Sequence, residues 1–191
     1  MRPEYRVLPT ARLLLRPPRE EDAPAVFESF GSDPEVTRLL TWRPHRSLVD
    51  AQAALRTRLE RLARGREYSW IIELREPGRL VGIVSAWIDG DGAELGFVLA
   101  RPHWGRGIAT EAVAAVADWA LSLSDVTRVW GTCDTENGAS ARVFAKAGFA
   151  CHGVCEREIV RPNLGPAPRP SLLFSRGGLP RRDSPTPPEN G

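Results

Sequence analysis

The stretch Glu94-Leu-Gly-Phe-Val-Leu-Ala-Arg-Pro-His-Trp-Gly-Arg-Gly-Ile-Ala-Thr-Glu111 constrains this chain most, because a strand-like run passes through a glycine-flanked turn directly into an alanine-rich helix. A strand that hands over to a helix in this way is an anion site in outline. The turn from Trp104 to Ala109 gathers several backbone N–H groups at a helix N-terminus, where partial positive charge and unpaired donors favour phosphate oxygens. Gly105 and Gly107 carry no Cβ, so a pyrophosphate can approach the main chain closely. Two common phosphate loops fail on spacing, since the chain contains neither G-x-x-x-x-G-K-[ST] nor G-x-G-x-x-G.

Periodicity supplies a coarse map. Leu13 to Leu15 suggest a first strand. Glu20, Glu21 and Asp22 then open a helix with Ala23, Val26, Phe27 and Phe30 on one face, ended by Gly31. Ser47-Leu-Val-Asp50 resembles a capping box, and Leu48, Ala51, Leu55, Leu59 and Leu62 recur at helical spacing; the arginines of that helix read as a solvated face. Three strand-like runs follow, at about 68–74, 79–88 and 93–99, separated by Glu-Pro-Gly and Asp-Gly-Asp-Gly turns, as in an antiparallel meander. After them come the helix with Val113, Val116, Ala117, Ala120 and Leu121 on one face, a strand at 128–133, a helix beginning after Asn137, and strands near 149–160 and 171–176.

A length of 191 residues suits one domain, placed at residues 1–176; residues 177–191 contain Pro180, Pro185, Pro187 and Pro188, have little to bury, and read as a disordered tail. The 26 basic and 24 acidic residues leave a formal net charge of +2, which gives no global pull toward nucleic acid or a membrane surface. Six tryptophans and local arginines are the only features that suggest nucleic-acid binding, and no recognised motif accompanies them. No apolar run approaches the roughly 18 residues of a membrane span, and Met1-Arg-Pro-Glu-Tyr5 lacks the apolar stretch of a signal peptide, so a cytoplasmic protein is expected. Cys133, Cys151 and Cys155 are odd in number and lack a C-x-x-C pair, and His45, His103 and His152 are scattered, so no disulfide framework and no metal site are expected.

The turn Trp104-Gly-Arg-Gly-Ile-Ala-Thr-Glu111 resembles motif A of the GCN5-related N-acetyltransferase (GNAT) superfamily, in which a Q/R-x-x-G-x-G/A turn holds the pyrophosphate of acetyl-coenzyme A. Trp104 departs from that pattern at its first position, while Gly107 and Ala109 fit its later ones. A second block, Asn137-Gly-Ala-Ser-Ala-Arg-Val-Phe-Ala-Lys-Ala-Gly-Phe149, is similar to the N-x-x-S-x-x-(V/L)-x-x-K-x-G-F segment of the branch containing the ribosomal-protein alanine N-acetyltransferases (RimJ/RimL-like). Taken alone, Asn137 is an ordinary helix cap and Gly148 an ordinary helix stop.

The resemblance implies an α/β (α+β) fold: a mixed, mostly antiparallel central sheet of about seven strands with a splayed fourth and fifth pair, and four flanking helices. It also implies transfer of an acetyl group from acetyl-coenzyme A to a primary amine, on a protein N-terminus or a small molecule, by direct attack in a ternary complex and without a metal. Val98 and Leu99 would line the pantetheine arm, with the Val98 N–H as oxyanion donor. Trp104, Gly105, Arg106, Gly107, Ile108, Ala109 and Thr110 would take the pyrophosphate, and Asn137 and Arg142 would lie beside the cofactor; Arg142 and Lys146, four apart on one helix face, are either within reach of a phosphate or exposed helix cations. An amine with a pKa near ~10 must lose a proton before it attacks. Strand alternation puts Glu94, Gly96 and Val98 on one face, which makes Glu94 the candidate base, acting through water; a solvent-facing Glu94 is the alternative, and Glu156 and Glu158 are the runners-up. Family members often carry Tyr where this chain has Phe144, so Ser140 is left to hydrogen-bond the departing sulfur, or else to bind backbone. The same substitution supports the alternative of a catalytically weak or inactive acyl-coenzyme A-binding module. The acceptor would meet Gly31 to His45 and Arg161 to Pro170, with Trp42 and Trp87 as pocket walls or core aromatics. A monomer or homodimer is expected.

Overall fold

The computed structural model describes residues 5–179 and, within that span, every side chain except those of residues 156–158. Most of the expected tail, from residue 180 onward, lies outside the described residues. The strands are β1 (Leu8–Pro9), β2 (Leu13–Arg16), β3 (Tyr68–Leu74), β4 (Leu80–Asp89), β5 (Gly92–Leu99), β6 (Arg128–Asp134), β7 (Ala150–Val160) and β8 (Pro168–Arg176). The helices are α1 (Ala23–Val26), α2 (Pro34–Thr37), α3 (Leu48–Ala63), α4 (Ile108–Leu121) and α5 (Gly138–Lys146). The strands form one open sheet in the order β1-β2-β3-β4-β5-β6-β8-β7. Only β5 and β6 run parallel, joined by a crossover through α4, as a parallel pair requires.

Two counts exceed the expectation of about seven strands and four helices. The extra strand is β1, which pairs Leu8 with Leu15 and Pro9 with Leu14 at the sheet margin, where the missing N–H of Pro9 can face solvent. The extra helix is α2, and the run after Glu20 that precedes it does not stay regular. A tight turn at Glu20–Asp22, α1 and a wide turn at Phe27–Gly31 replace the one continuous helix, and α2 is added beyond the expected stop at Gly31, with Pro34 opening it at a position that suits proline. Asp22 is held at the start of this segment by two Arg16 nitrogens at 2.9 and 2.7 Å and by the Arg19 N–H at 2.8 Å.

The reciprocal cap of α3 is present: Ser47 Oγ accepts from Asp50 N at 3.3 Å, and Asp50 Oδ2 accepts from Ser47 N at 3.1 Å. Ala51 and Leu55 of that helix are buried, whereas Leu48 at its exposed start is not.

Both faces of the sheet are covered. On one face, Val113, Val116, Ala117 and Ala120 of α4 pack on Val84, Ala86, Leu95 and Val129, with Trp119 edge-on to Trp70 at 4.7 Å. On the other, Val26, Phe30, Val36 and Trp42 cover Ile71, Ile83 and Val98. The two faces therefore present different surroundings to alternate residues of β5. Leu95 and Leu99 point to the α4 side and Val98 to the α1 and α2 side.

The feature that creates a site is where pairing stops. Strands β5 and β6 are joined at Gly92 with Arg128, Ala93 with Val129 and Glu94 with Trp130, and there the register ends, although β5 continues to Leu99 and β6 to Asp134. The strands diverge beyond Glu94, and the main chain of β5 is left with one unpaired edge.

Candidate active site

Which backbone groups face that gap follows from the pairing of β4 with β5. Ala100 N donates to Val81 O at 2.8 Å, and a Cβ built on Gly82 would lie 2.4 Å from Val98 O, so the main-chain groups of Val98 are directed at β4. Alternation then turns those of Phe97 and Leu99 toward the gap. The expected oxyanion donor at Val98 is corrected accordingly: its side chain lines the cleft, but the N–H groups open to a ligand in the gap are those of Phe97 and Leu99. The Leu99 carbonyl is occupied by the Trp104 indole, which donates to it at 2.7 Å. Trp104 thus fastens the turn to the strand it follows, a role for the residue that departs from the motif.

Beyond Trp104, Gly105 and Gly107 have φ of +72° and +74°, left-handed values that a side chain would strain. Gly107 is the N-cap of α4 and offers no side chain, so the first-turn N–H groups of Ile108, Ala109 and Thr110 carry no side-chain cap. This is a bare anion cradle. Arg12, in the turn between β1 and β2, braces it in a way the sequence did not reveal. Its Nη1 donates to Arg106 O at 2.9 Å and its Nε to Glu111 Oε2 at 2.7 Å, while Thr10 Oγ1 donates to Glu111 Oε1 at 2.6 Å. Burial pushes the Glu111 carboxyl up, but Thr10 and Arg12 outweigh it and hold it below the usual value, so the only acid in the first turn of α4 is a paired one.

A cleft of about 400 Å³ opens on this cradle, lined by Val98, Leu99, Trp104, Gly105, Gly107, Ile108, Ala109, Thr110, Asn137, Ser140 and Arg142, and also by Lys146 and His103. Every expected cofactor-contacting residue lines it except Arg106, whose carbonyl is taken by Arg12. The cleft continues through Phe97, Val98, Asn137 and Ser140 into an inner pocket of about 120 Å³ that contains Glu94, Trp42, Trp87, Cys133 and Phe144.

Glu94 is 4 % exposed and lies on that pocket wall, not at a solvent-facing position on the strand. Ser140 sits where cleft and pocket meet. Its N–H is used by the Asn137 cap at 3.0 Å, but its hydroxyl makes no hydrogen bond among the described residues. Phe144 is buried between Phe97, Phe149 and Phe174, with ring centroids 5.6, 5.3 and 5.3 Å away, and has no polar atom to present. The side chains of Glu156 and Glu158 lie outside the described residues.

The two segments expected to meet the acceptor are joined through Asn163, whose Nδ2 donates to Thr37 O at 2.7 Å and to Trp42 O at 2.8 Å. Trp42 stacks on His45 with ring centroids 5.1 Å apart, and burial pulls the His45 imidazole below its usual value. Cys133 is pushed up to about 11, chiefly by burial, and is no nucleophile at neutral pH. Among the described residues no group of His, Cys, Asp and Glu could hold a metal ion, and no helix is long and apolar enough to cross a membrane.

The α3 arginines correct another expectation. Arg58 is not on a solvated face: its side chain is 10 % exposed, and Nη1 reaches Glu67 Oε1 at 2.5 Å and Ser85 Oγ at 3.1 Å at the wall of the inner pocket. Arg61 follows it onto Glu67 at 3.4 Å. Arg58 stands on the line of Ala51 and Leu55, a cation in an apolar stripe, and that was the signal available in the sequence.

The model of the acetyltransferase (GNAT) domain family matches residues 12–150, which contain the cradle, Glu94, Ser140 and the splayed strands. The chain is a GNAT acetyltransferase. Among its GNAT relatives is the uncharacterized N-acetyltransferase YoaA of Bacillus subtilis (strain 168), 31% identical over 153 residues that make up 78% of this chain and 86% of YoaA. Two solved acetyltransferases share the fold. The microcin C7 self-immunity acetyltransferase MccE, in complex with acetyl-CoA and AMP, aligns with a TM-score of 0.79 and 17% identity over 88% of this chain and 93% of that one. RimL, the ribosomal L7/L12 alpha-N-protein acetyltransferase, in complex with coenzyme A, aligns with a TM-score of 0.77 and 19% identity over 89% and 97%. As a GNAT enzyme the chain is an N-acetyltransferase of a family that uses acetyl-CoA.

Proposed function

We infer that the protein moves an acetyl group from acetyl-CoA to a primary amine by direct attack, with both substrates bound at once. The observation that carries this reading is the continuous passage from the uncapped N-terminus of α4, along the open edge of β5, to a buried pocket holding Glu94 and Ser140. The fit to the donor rests on that cradle. Free N–H groups at Ile108, Ala109 and Thr110 with Arg142 and Lys146 opposite suit a pyrophosphate, and the N–H groups of Phe97 and Leu99 suit an extended amide chain.

When bound, acetyl-CoA supplies the thioester carbonyl and leaves as the thiol. The chain's own residues do the rest. Glu94 takes a proton from the ammonium form of the acceptor, directly or through water, and this step is commonly worth about 10²–10⁴-fold in rate. A gap-facing N–H of β5 stabilises the carbonyl oxygen as it gains charge. The Ser140 hydroxyl, otherwise unbonded, donates to the sulfur as it departs. The acceptor amine enters the inner pocket beside Leu39 to Trp42 and Arg161, from a protein N-terminus, as in RimL, or from a small molecule.

A second reading, an acyl-CoA-binding module with little turnover, is favoured by one observation: Phe144 offers no proton where related enzymes carry Tyr. Thiol release from acetyl-CoA across peptides and small amines, with cofactor affinity measured by calorimetry, separates the two. Glu94→Gln should lose about 10²-fold or more in kcat with cofactor affinity unchanged. Tight binding with no turnover on any acceptor would leave the module reading standing, and no binding at all would sink both.

A further inference from the structure

Residues 31–45 make one closed loop that walls both the cleft and the inner pocket. Its ends meet where His45 N donates to Gly31 O at 2.9 Å, and a Cβ built on Gly31 would lie 2.7 Å from His45 Cδ2, so the neck of the loop is shut. Val36 and Trp42 anchor it in the apolar layer with Ile83 and Val98. Between those anchors, Leu39 and Leu40 line the cleft and the inner pocket alike, while Thr41 and Trp42 line the inner pocket.

Main-chain hydrogen bonds hold only part of this wall. Thr37 O accepts from Leu40 N at 2.9 Å, but among the described residues the main chain from Thr41 to Pro44 bonds to no other main-chain group. What reaches it is the side chain of Asn163, in the turn between β7 and β8. Its Nδ2 donates to Thr37 O on one side of Leu39 and Leu40 and to Trp42 O on the other. Both partners are carbonyls, which only accept, so the amide has one possible orientation and both of its N–H groups are in use.

We propose that Asn163 is a positioning residue for the acceptor: by holding Thr37 and Trp42 it sets the wall of Leu39 to Trp42 against which the amine is presented to Glu94. The proposal rests on the acetyltransferase reading above and adds to it the residue that fixes the acceptor side. The donor side is fastened separately, since Trp104 and Arg12 brace the cradle through contacts that do not involve Asn163. A wall held out of place presents the amine to the thioester at the wrong distance, and a misplacement of about 1 Å can cost about 10²-fold in rate.

The test is Asn163→Asp in the full-length protein. The substitution keeps the size and branching of the side chain, removes both donors and sets a carboxylate against two carbonyl oxygens. Three quantities are read beside wild type: hydrogen–deuterium exchange over residues 37–44 and 108–121, the Kd for coenzyme A by calorimetry, and kcat and KM for the best acceptor among Ala-Ala-Ala amide, Ser-Ala-Ala amide and ethanolamine. Exchange should quicken over 37–44 and stay as in wild type over 108–121. The Kd for coenzyme A should stay within about twofold while kcat/KM for the amine falls by about tenfold or more, with KM for the amine raised and KM for acetyl-CoA held. Asn163→Gln, which keeps the donors on a longer arm, should recover part of the loss. Asn163→Ala supplies the same readings if the Asp variant fails to fold, as judged by circular dichroism.

Unchanged exchange over 37–44, or a wild-type KM for the amine, overturns the proposal and leaves the acetyltransferase reading intact. Exchange that quickens across the whole sheet, with cofactor affinity lost in step, shows a general structural role and overturns it as well. If wild type binds coenzyme A and acetylates none of the three amines, the exchange pattern decides: quickening confined to 37–44 keeps Asn163 as the clasp of this wall, and any other pattern removes it. Failure of wild type to bind coenzyme A defeats the underlying reading and the positioning role with it.

Discussion

Replacing Arg58 with Gln should cost stability in a manner that pH can diagnose. Glu67 has a side chain of 0 % exposure and depends on Arg58 at 2.5 Å, Arg61 at 3.4 Å and the Ser69 hydroxyl at 2.7 Å. Breaking a buried pair by removing one partner costs about 3–5 kcal/mol, and because Arg61 and Ser69 remain, the lower end applies. At about 2–4 °C per kcal/mol for a chain of this size, a loss of about 3 kcal/mol lowers Tm by about 6–12 °C. The folded-state pKa of Glu67 is depressed, so its contribution is present above the unfolded value of about 4.3 and is lost as pH falls through the folded one. The gap between wild type and Arg58→Gln should therefore be widest near neutral pH and narrow as pH drops toward that range. Calorimetric melts of both proteins across the acid range give the measurement. A variant that melts with wild type at pH 7, or a gap that stays constant down to acid pH, would refute the claim that an ionised Glu67 is held by Arg58.

Three further outcomes follow from the site. Gly107→Ala forces a side chain into φ +74° at the N-cap of α4, at a cost of about 1–2 kcal/mol, and should weaken coenzyme A binding measured by calorimetry; unchanged affinity would mean the cradle is not the pyrophosphate site. Arg12→Ala frees the Arg106 carbonyl and leaves Glu111 without its cation at the same helix end, so it should raise the Kd for coenzyme A by roughly tenfold with kcat little changed; a kcat effect alone would contradict a bracing role. In the native protein near pH 8, iodoacetamide should label exposed Cys151 well before Cys133, which is buried and pushed up to about 11; mass spectrometry showing Cys133 first would overturn its assignment as inert.

Much of the site was legible because its parts are local. Glycines at 105 and 107, a cap at Asn137 and an alternation running through Glu94, Gly96 and Val98 are properties of short windows, and the structure brings them to one cleft. What escaped depended on partners far apart in the chain. Arg12 reaches Glu111 across 99 residues, and nothing near either one announces the contact. Arg58 read as surface charge because its compensation comes from Glu67 before β3 and Ser85 on β4. The Val98 N–H was misjudged for a different reason. Alternation tells which residues share a face of a strand, but the direction of each N–H depends on its pairing with the neighbouring strand, and here β4 takes Val98. The first helix broke up because its apolar stripe survives in a chain that winds tightly, then widely, around Phe27–Gly31.

The pairing that ends at Glu94 and Trp130 also gives the molecule a seam. To one side lie five strands from β1 to β5, to the other three from β6 to β8, and across the sheet only three residue pairs stitch them together. On the proposed reading, a pantetheine chain in the gap would add one more rung to the ladder, its amides meeting the edge of β5. The donor would then be a structural member of the sheet while it waits to react, and the cohesion of the two parts should rise and fall with its concentration. Amide exchange at Phe97 and Leu99 should slow when coenzyme A is added, which makes the backbone itself a gauge of how full the enzyme is.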